Sequence, residues 1–276
     1  MVVQAGGFNK AAGDNEYKQS QYSRQIADLE KFFGCRLFYR EGRTSRLTPE
    51  GAKLLEISKL FFSELELFKT AVSGQKIDLV ISAGHSVINF FLTADINKKL
   101  QQLSKTVSFK ATTTEESVQD VLSYESHFAI VGKKTPNKNL KTIKLLSSPA
   151  IMVYSKEHRD KFYTGENLSK LAGNPTAMLA GSGEYKKGIL KVFKGNTLNI
   201  ISEAPYFSAI KTYALQGQAV AYIPEYCLTE EDRSYLETYP FKDLSMVTRD
   251  LFLVYRKNVV SQSDLLEKIA EVFLKN

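Results

Sequence analysis

A short run of hydrogen-bonding side chains near the N-terminus has the composition needed to recognise a polar surface. At helical spacing, Gln19, Ser20, Ser23 and Arg24 fall on one face without an apolar member. Amides and guanidinium groups bond to base edges in a DNA groove, and hydroxyls and cations bond to phosphates. The pattern predicts a DNA-reading face formed by Lys18, Gln19, Ser20, Gln21, Ser23 and Arg24.

The other residues of this stretch indicate the helix that holds the polar face. Tyr22, Ile26, Leu29 and Phe33 are spaced four, three and four residues apart, which places them on a single stripe of an α-helix. We expect this stripe to be buried against the protein. Gly34 follows the last apolar residue, where a left-handed C-cap favours glycine, so one helix is predicted over 17–34.

Short elements are predicted on both sides of this helix. Residues 8–12 indicate a short helix and 13–15 a turn, which together with the longer helix make a helix-turn-helix. Residues 36–47 contain two extended apolar runs around Gly42, a pattern typical of a β-hairpin or wing. Arg40, Arg43 and Arg46 could reach phosphates beside a groove. A solvated hairpin would carry the same arginines, and the preceding helix favours the wing.

A long apolar seam after the hairpin predicts a surface for a second subunit. Thr48 is a suitable N-cap, and Pro49 suits the first position of a helix. The seam continues to residue 72, over about 34 Å at about 1.5 Å per residue, and a hinge is predicted at 73–75. A helix lying on its own domain remains the alternative, although Leu60 and Leu67 offer a separate flank for that contact. The predicted pairing residues are Leu54, Ile57, Phe61, Leu65, Phe68 and Val72.

The composition narrows the class of protein. The 276 residues have a formal net charge of +7 and 43% hydrophobic content, which favours a globular chain of one or two domains with an acidic partner. Cys35 and Cys227 lack the spacing of a metal site, and His85, His127 and His158 have no second ligand at helical spacing. We therefore expect no metal, no cofactor and no catalytic residues, and hence no enzyme. With no leader and no membrane-spanning apolar run, we expect a cytoplasmic protein without a membrane partner.

From residue 77 the pattern changes to short apolar strands that alternate with amphipathic helices. Strands are predicted over 77–83, 107–111, 128–131, 151–154, 177–179, 199–202, 220–223 and 251–255, and helices over 90–103, 115–122, 168–171, from about 184, 205–215 and 265–274. This order predicts parallel sheets with right-handed crossovers in two α/β lobes joined by crossing strands. We expect lobe I to hold residues of about 75–147 and 250–276, and lobe II about 148–249.

The ends of these strands carry the residues most able to bind a small molecule. In an open parallel sheet, ligands bind beyond the carboxyl ends of the strands, where loops lead into helix N-termini. Glycines, hydroxyls and one lysine stand at these ends, which favours a polar or anionic effector. Turns and helix caps use the same residue types, so that alternative stays open. The predicted effector-binding residues are Gly84, His85, Ser86, Thr113, Thr114, Lys133 and Ser182.

The sequence resembles the LysR-type transcriptional regulators over nearly its whole length. The residue types and spacing of the winged helix of that family are kept at ten places near the N-terminus. They are Gly6-Gly7-Phe8, Ala11-Ala12, residues 19–26, Leu29-Glu30, Gly34, Leu37-Phe38, Arg40, Arg43, Leu47-Thr48 and Gly51. Residues 79–86, 128–132, 181–183 and 217–224 resemble its effector-binding domain, which is similar to periplasmic binding proteins. The resemblance implies a winged helix-turn-helix over 1–48, a linker and dimerisation helix over 49–73, and a two-lobed α/β effector-binding domain over 75–276.

The same resemblance implies a function. The helix over 17–33 would enter the major groove of double-stranded DNA, and the long helix would pair two subunits. An inducer would bind between the lobes at the positions of Gly84, Ser86 and the region of Thr113. We therefore expect a transcription regulator that binds operator DNA as a homo-oligomer, dimer or tetramer, and responds to a small-molecule effector.

Three departures from the family pattern keep a second hypothesis open. Only residues 1–5 precede Gly6, so we expect a truncated first helix. Lys18 stands where the family has a capping serine, and Asn15 stands where it has an apolar residue. Loss of a cap costs about 1 kcal/mol, and a buried polar group without a partner costs about 1–3 kcal/mol. The alternative is a DNA-binding-deficient paralogue that binds a ligand or pairs with other subunits.

Overall fold

A computed structural model of the chain shows two compact units, Met1–Lys69 and Thr70–Asn276. It describes residues 13, 16–41, 44–73, 76–91, 94–181, 183–239, 241–257 and 263–274. The short helix predicted over 8–12, the residue Asn15 and the candidate site residues Arg43 and Ser182 lie outside the described residues. Those expectations stay predictions.

The first unit contains a helix, a hairpin and most of a long helix. Helix α1 is Glu16–Phe33, strands β1 and β2 are Phe38–Glu41 and Thr44–Leu47, and helix α2 is Pro49–Ser73. The two strands pair antiparallel, as predicted for the wing. Gly34 has a φ of +66°, which confirms the predicted left-handed C-cap of α1.

The hydroxyl of Thr48 connects the hairpin to α2. Its Oγ1 accepts a hydrogen bond from the Gly51 N–H at 2.9 Å, which confirms the predicted N-cap, and donates one to the Arg36 carbonyl at 2.6 Å. The backbone of Gly51 lies so close to Leu37 that an added Cβ would stand 2.1 Å from the Leu37 carbonyl oxygen. The start of α2 is therefore fixed against the segment that leads into the wing.

The second unit is a two-lobed α/β structure. Lobe I begins with β3 Ile77–Ala83, α3 His85–Phe91, α4 Ala94–Leu103, β4 Ser104–Ala111, α5 Thr114–Leu122 and β5 Phe128–Val131. Strand β6 Leu140–Ser155 leads to lobe II, which holds a 3-10 turn Arg159–Lys161, α6 Leu168–Gly173, β7 Thr176–Leu179, α7 Glu184–Val192, β8 Ile200–Ala204, α8 Phe207–Leu215, β9 Val220–Pro224, a 3-10 turn Glu225–Cys227, α9 Glu230–Tyr235, β10 Leu236–Tyr239 and α10 Lys242–Ser245. Strand β11 Thr248–Arg256 returns to lobe I, where α11 Ser263–Leu274 follows.

The described strands of this unit form one mixed sheet that runs through both lobes. Their order is β4-β3-β5-β11-β6-β9-β7-β8, with β10 paired to β6. Pairing is parallel between β3, β4 and β5 and between β7, β8 and β9, but β6 and β11 run antiparallel to each other and to their neighbours. The two α/β lobes and their crossing strands are confirmed. Parallel pairing holds only within each lobe, because a chain that crosses to lobe II and returns must lay its crossing strands in opposite directions.

Several predicted boundaries are wrong. The helix expected to begin at residue 90 begins earlier, at His85, because the Gly84 carbonyl accepts the N–H groups of Val87 and Ile88 and starts α3 there. Strand β6 has 16 residues, whereas only 151–154 were predicted. Its first half carries exposed lysines, since the crossing strand has one solvated side there. Elements α9, β10 and α10 were not predicted.

The cores lie between the sheet and its helices and hold the strand ends in place. In lobe I, β5 is buried at every position, as expected for a strand covered on both faces. In lobe II, Met152, Met178, Phe193 and Tyr222 are fully buried in one cluster. Among the described helices, none is both long enough and apolar enough to span a membrane.

Candidate DNA-reading face and effector cleft

The polar face of α1 is a surface of the protein. Its side chains are exposed at Lys18, Ser20, Gln21 and Arg24 and half-buried at Gln19 and Ser23. Helix α1 begins at Glu16, so Lys18 lies in the first turn, and the expectation that it occupies the cap position is wrong. The structure thus brings the six predicted side chains together on two turns of one helix.

The apolar stripe of α1 is covered only in part. Tyr22 and Ile26 are half-buried, but Leu29 and Phe33 are 41% and 48% exposed. The prediction of a buried stripe is therefore wrong at its C-terminal end, because a unit of this size has too little interior to enclose every apolar side chain. Phe33 instead packs its ring edge-on against that of Phe32, at 5.0 Å between centroids.

A carboxylate holds the wing against α1. Glu30 Oε1 accepts the backbone N–H groups of Leu37 at 2.8 Å and Phe38 at 3.2 Å, and both of these side chains are buried. Arg40 lies on β1, and Arg46 is exposed on β2. The structure therefore fixes the strand that carries Arg40 next to the helix that carries the polar face.

Helix α2 leaves an apolar face exposed in the single chain. Ile57, Phe61, Phe68 and Val72 are between 57% and 69% exposed, whereas Leu54 and Leu65 are half-buried. The ring of Phe62 adds to this surface, at 5.5 Å from that of Phe61. The flank predicted for intrachain contact is exposed at Leu60. Contiguous apolar surface of this kind is typical of an interaction site.

In lobe I, the predicted effector-binding residues meet at one edge of the sheet. Ala83 pairs with Ala111 and with Ile130, so the parallel strands β3, β4 and β5 end side by side. Gly84 and Thr113 directly precede the helices that follow β3 and β4, His85, Ser86 and Thr114 lie in the first turns of these helices, and Lys133 follows β5. This placement agrees with the expected geometry of a ligand site in a parallel sheet. A binding role for each residue stays a prediction.

Thr113 has a local partner. It is the N-cap of α5: its Oγ1 accepts the Glu116 N–H at 3.3 Å and donates to Glu116 Oε2 at 3.0 Å. The Thr113 backbone N–H donates to the same carboxylate at 2.9 Å, and these bonds hold the pKa of Glu116 below its usual value. This is the helix-capping role that the sequence left open for Thr113.

The two lobes of the second unit contact each other through aromatic rings beside this edge. The ring of His85, at the start of α3, lies 5.1 Å from that of Tyr206, which caps α8 in lobe II. The ring of Phe90 lies 5.4 Å from that of Tyr226, in the turn after β9. His85 is thus the predicted effector-binding residue seen to contact the opposite lobe.

The sequence did not reveal a polar cluster beside these rings. The Arg249 guanidinium lies 5.4 Å from the centre of the Phe207 ring, and a Cβ added to Gly132 would stand 2.9 Å from its Nη2. Arg249 Nε and the Tyr185 hydroxyl are buried without a hydrogen-bond partner, and the buried Tyr226 hydroxyl interacts with the side chains of Arg249 and Cys227. These residues come from β11, α7 and the turn after β9, so only the folded chain brings them together.

The electrostatics of the cluster keep its phenols and its thiol neutral. Burial raises the pKa of Tyr185 and of Tyr226 well above the usual value, and the positive charge of Arg249 opposes the rise. Cys227 keeps part of its surface exposed, but enclosure of its thiol raises the pKa to about 12. The phenols are therefore hydrogen-bond donors, and the thiol is not a nucleophile at neutral pH. Nowhere in the described part of the chain do three or more metal-ligating side chains cluster.

A winged helix with an exposed polar helix face, followed by a two-lobed α/β domain, defines a DNA-binding regulator with a ligand-binding domain. The family model of the bacterial regulatory helix-turn-helix protein, lysR family, matches residues 1–52. The family model of the LysR substrate binding domain matches residues 75–272. The chain belongs to the LysR family of transcriptional regulators.

Individual relatives agree with this assignment. The HTH-type transcriptional activator CmpR of Synechocystis sp. is 22% identical over 236 residues, which are 83% of this chain and 78% of the relative. Full-length OxyR from Pseudomonas aeruginosa has the same fold, with a TM-score of 0.70 at 16% identity over 99% of this chain and 91% of that one. CbnR solved with its target DNA gives a TM-score of 0.64 at 18% identity, over 99% and 96% of the two chains. These names are those of regulators, as expected for a chain that is not an enzyme.

Proposed function

We propose that this regulator binds operator DNA as a homodimer or tetramer in the cytoplasm and responds to a small molecule bound between its two lobes. The exposed polar face of α1 carries the proposal. Lys18, Gln19, Ser20, Gln21, Ser23 and Arg24 offer donors and acceptors to base edges and phosphates. The arginines proposed from the sequence of the wing, Arg40, Arg43 and Arg46, would contact flanking phosphates.

The pairing of two subunits rests on α2. An exposed apolar face formed by Ile57, Phe61, Phe68 and Val72 is unfavourable in water and is covered when two copies of the helix pair. A twofold pair of winged helices would then read an operator with two half-sites, as helix-turn-helix dimers do.

The effector would bind at the edge where the strands of lobe I end and the rings of lobe II begin. Gly84, His85, Ser86, Thr113, Thr114, Lys133 and Ser182 remain the residues proposed from the sequence. A ligand that binds one arrangement of the lobes better than another shifts the population toward it, and that shift can change how the regulator occupies DNA.

A nuclease footprint on the DNA upstream of the gene for this protein tests the DNA-binding part. We expect the full chain to protect two half-sites at low salt. No protection would contradict the proposal and would favour the DNA-binding-deficient paralogue.

A second experiment tests the effector site. We expect Ser86→Ala to leave the footprint intact and to reduce its response to small-molecule extracts of the host cell. Ser245→Ala, at an exposed serine of α10, serves as the matched control. An unchanged response in Ser86→Ala would remove Ser86 from the site.

A further inference from the structure

We propose that Arg249, Tyr185 and Tyr226 form an anion subsite in the cleft, and that the effector is a small monocarboxylate with an apolar body. This inference rests on the proposed effector site and names its chemistry. None of the three residues belongs to the set predicted from the sequence.

The first argument is the unmet hydrogen-bonding capacity of the cluster. Tyr185 and Tyr226 are only 7% and 8% exposed, and neither the Tyr185 hydroxyl nor Arg249 Nε has a hydrogen-bond partner. A buried donor without a partner is costly, and such groups in native proteins are commonly met by a ligand, an ion or ordered water. The Tyr185 ring and the Arg249 guanidinium lie 5.3 Å and 5.4 Å from the same Phe207 ring, so their two unmet groups, from separate elements, indicate one shared acceptor. The Tyr226 hydroxyl, which interacts with Arg249, stands beside them.

The second argument is the charge of Arg249. In the part of the chain that the structure describes, no carboxylate forms an ion pair with its guanidinium. The adjacent Asp250 faces Lys144 at 2.9 Å, and Asp232 of lobe II is paired with Lys211. A partly desolvated cation without a counter-ion is unfavourable, and the planar fork of arginine suits a carboxylate. The bound ligand would supply the missing negative charge.

The third argument limits the ligand to a single negative charge on an apolar body. The cluster contains one cation and two neutral phenol donors, which match a carboxylate better than a phosphate dianion. Its surroundings are aromatic: the guanidinium lies over Phe207, Phe90 packs against Tyr226, and His85 packs against Tyr206. The carboxylate would therefore bind the polar cluster while an aliphatic or aromatic body packs against these rings.

Thermal unfolding of the full chain, without DNA, tests the inference. The probes are sodium benzoate and sodium butyrate, compared with sodium phosphate and sodium chloride at equal ionic strength. We expect the carboxylates to raise the melting temperature of the wild type above the chloride value, and phosphate to raise it less. In Arg249→Gln, at least ten times more carboxylate should be needed for the same rise in melting temperature. Arg233→Gln, at an exposed arginine of α9, should keep it.

Two further variants separate binding from folding. Tyr185→Phe removes only an unpartnered hydroxyl, so its ligand-free melting temperature should stay the same or rise. The response to benzoate should weaken severalfold in Tyr185→Phe and in Tyr226→Phe. If Arg249→Gln does not fold, these variants decide the question. A loss of ligand-free stability without a change in the benzoate response would show a structural role and overturn the inference.

Other results would also overturn it. One is that benzoate and butyrate raise the melting temperature no more than chloride does. Another is that Arg249→Gln responds to the carboxylates like the wild type, and a third is that phosphate raises the melting temperature more than the carboxylates do. Failure of the proposed function is distinguishable from these results. A chain that protects no DNA can still bind benzoate through Arg249, whereas a footprint whose effector response survives Arg249→Gln contradicts only the subsite.

Discussion

The substitution Phe61→Ala on α2 tests whether the exposed apolar face pairs two subunits. Phe61 lies near the middle of this face and is 59% exposed in the single chain. Alanine is the strongest helix former, so the substitution removes the ring without weakening the helix itself. A loss of pairing could therefore be attributed to the missing contact surface.

The size of the effect follows from the exposed area. An aromatic side chain offers about 150–250 Å², so the exposed part of Phe61 amounts to on the order of 100 Å² of apolar surface. At about 25 cal/mol per Å², covering it contributes about 2.5 kcal/mol per subunit. A twofold interface covers it twice. After the methyl group of alanine is discounted, about 4 kcal/mol remains, which weakens pairing by roughly a thousandfold at about 1.4 kcal/mol per tenfold.

Sedimentation velocity over a concentration series measures this change directly. We expect the wild type to stay paired at concentrations where Phe61→Ala is monomeric. Lys53→Ala, at an exposed polar position of the same helix, is the control and should pair like the wild type. If Phe61→Ala shows the same assembly as the wild type across the series, the face of α2 does not pair the subunits.

Three further predictions concern the DNA-reading face, the cap of α2 and a buried histidine. Arg24→Ala should weaken operator binding across all sequences and lower the slope of log affinity against log salt by about 1, measured by fluorescence anisotropy, if Arg24 contacts a phosphate; an unchanged slope would exclude that contact. Thr48→Val should lower the free energy of unfolding in urea by about 2 kcal/mol, because it removes the cap and leaves the Arg36 carbonyl without its donor, whereas Thr48→Ser should not. Burial, with help from the charge of Arg256, lowers the pKa of His127 from 6.5 to about 4. The unfolded state therefore binds the proton first as pH falls, so stability of about 3 kcal/mol should be lost between pH 6.5 and 4. In His127→Gln this pH dependence should be smaller, and an equal dependence in both proteins would refute the assignment.

Local patterns in the sequence were sufficient for those elements of the first unit that the structure describes. Thr and Pro in the order of Thr48-Pro49 favour a helix start, and Gly34 favours a helix end because glycine readily adopts the left-handed backbone conformation. Both were predicted and both are confirmed. The exposure of Leu29 was not predicted, because burial depends on how much of the unit covers the helix, and apolar spacing carries no information about that.

In the cleft, by contrast, the sequence predicts the position of some candidate residues but not of the polar cluster. Gly84 and Thr113 stand at strand ends, so the order of strands and helices was enough to place them at one edge. Arg249 stands at the start of a crossing strand, and Tyr226 in a 3-10 turn. Neither position carries a local pattern, and residues 23 positions apart become neighbours only after β11 returns to lobe I. Unmet hydrogen bonds are a property of the folded chain, which is why the structure identifies this cluster and the sequence does not.

The position of Arg249 also gives a physical route from ligand binding to a change in the arrangement of the lobes. Its guanidinium lies against Gly132 of lobe I and against Phe207 of lobe II, so a rotation of one lobe on the other must change at least one of these contacts. A ligand carboxylate held by Arg249 would then have different affinities for different lobe arrangements, and only such a difference can shift a conformational equilibrium. We therefore expect Gly132→Ala, which forces Arg249 from its place, to alter the response to an effector even though Gly132 contributes no side chain to bind it. A dose response identical to that of the wild type would show that the Gly132 contact is not part of the coupling.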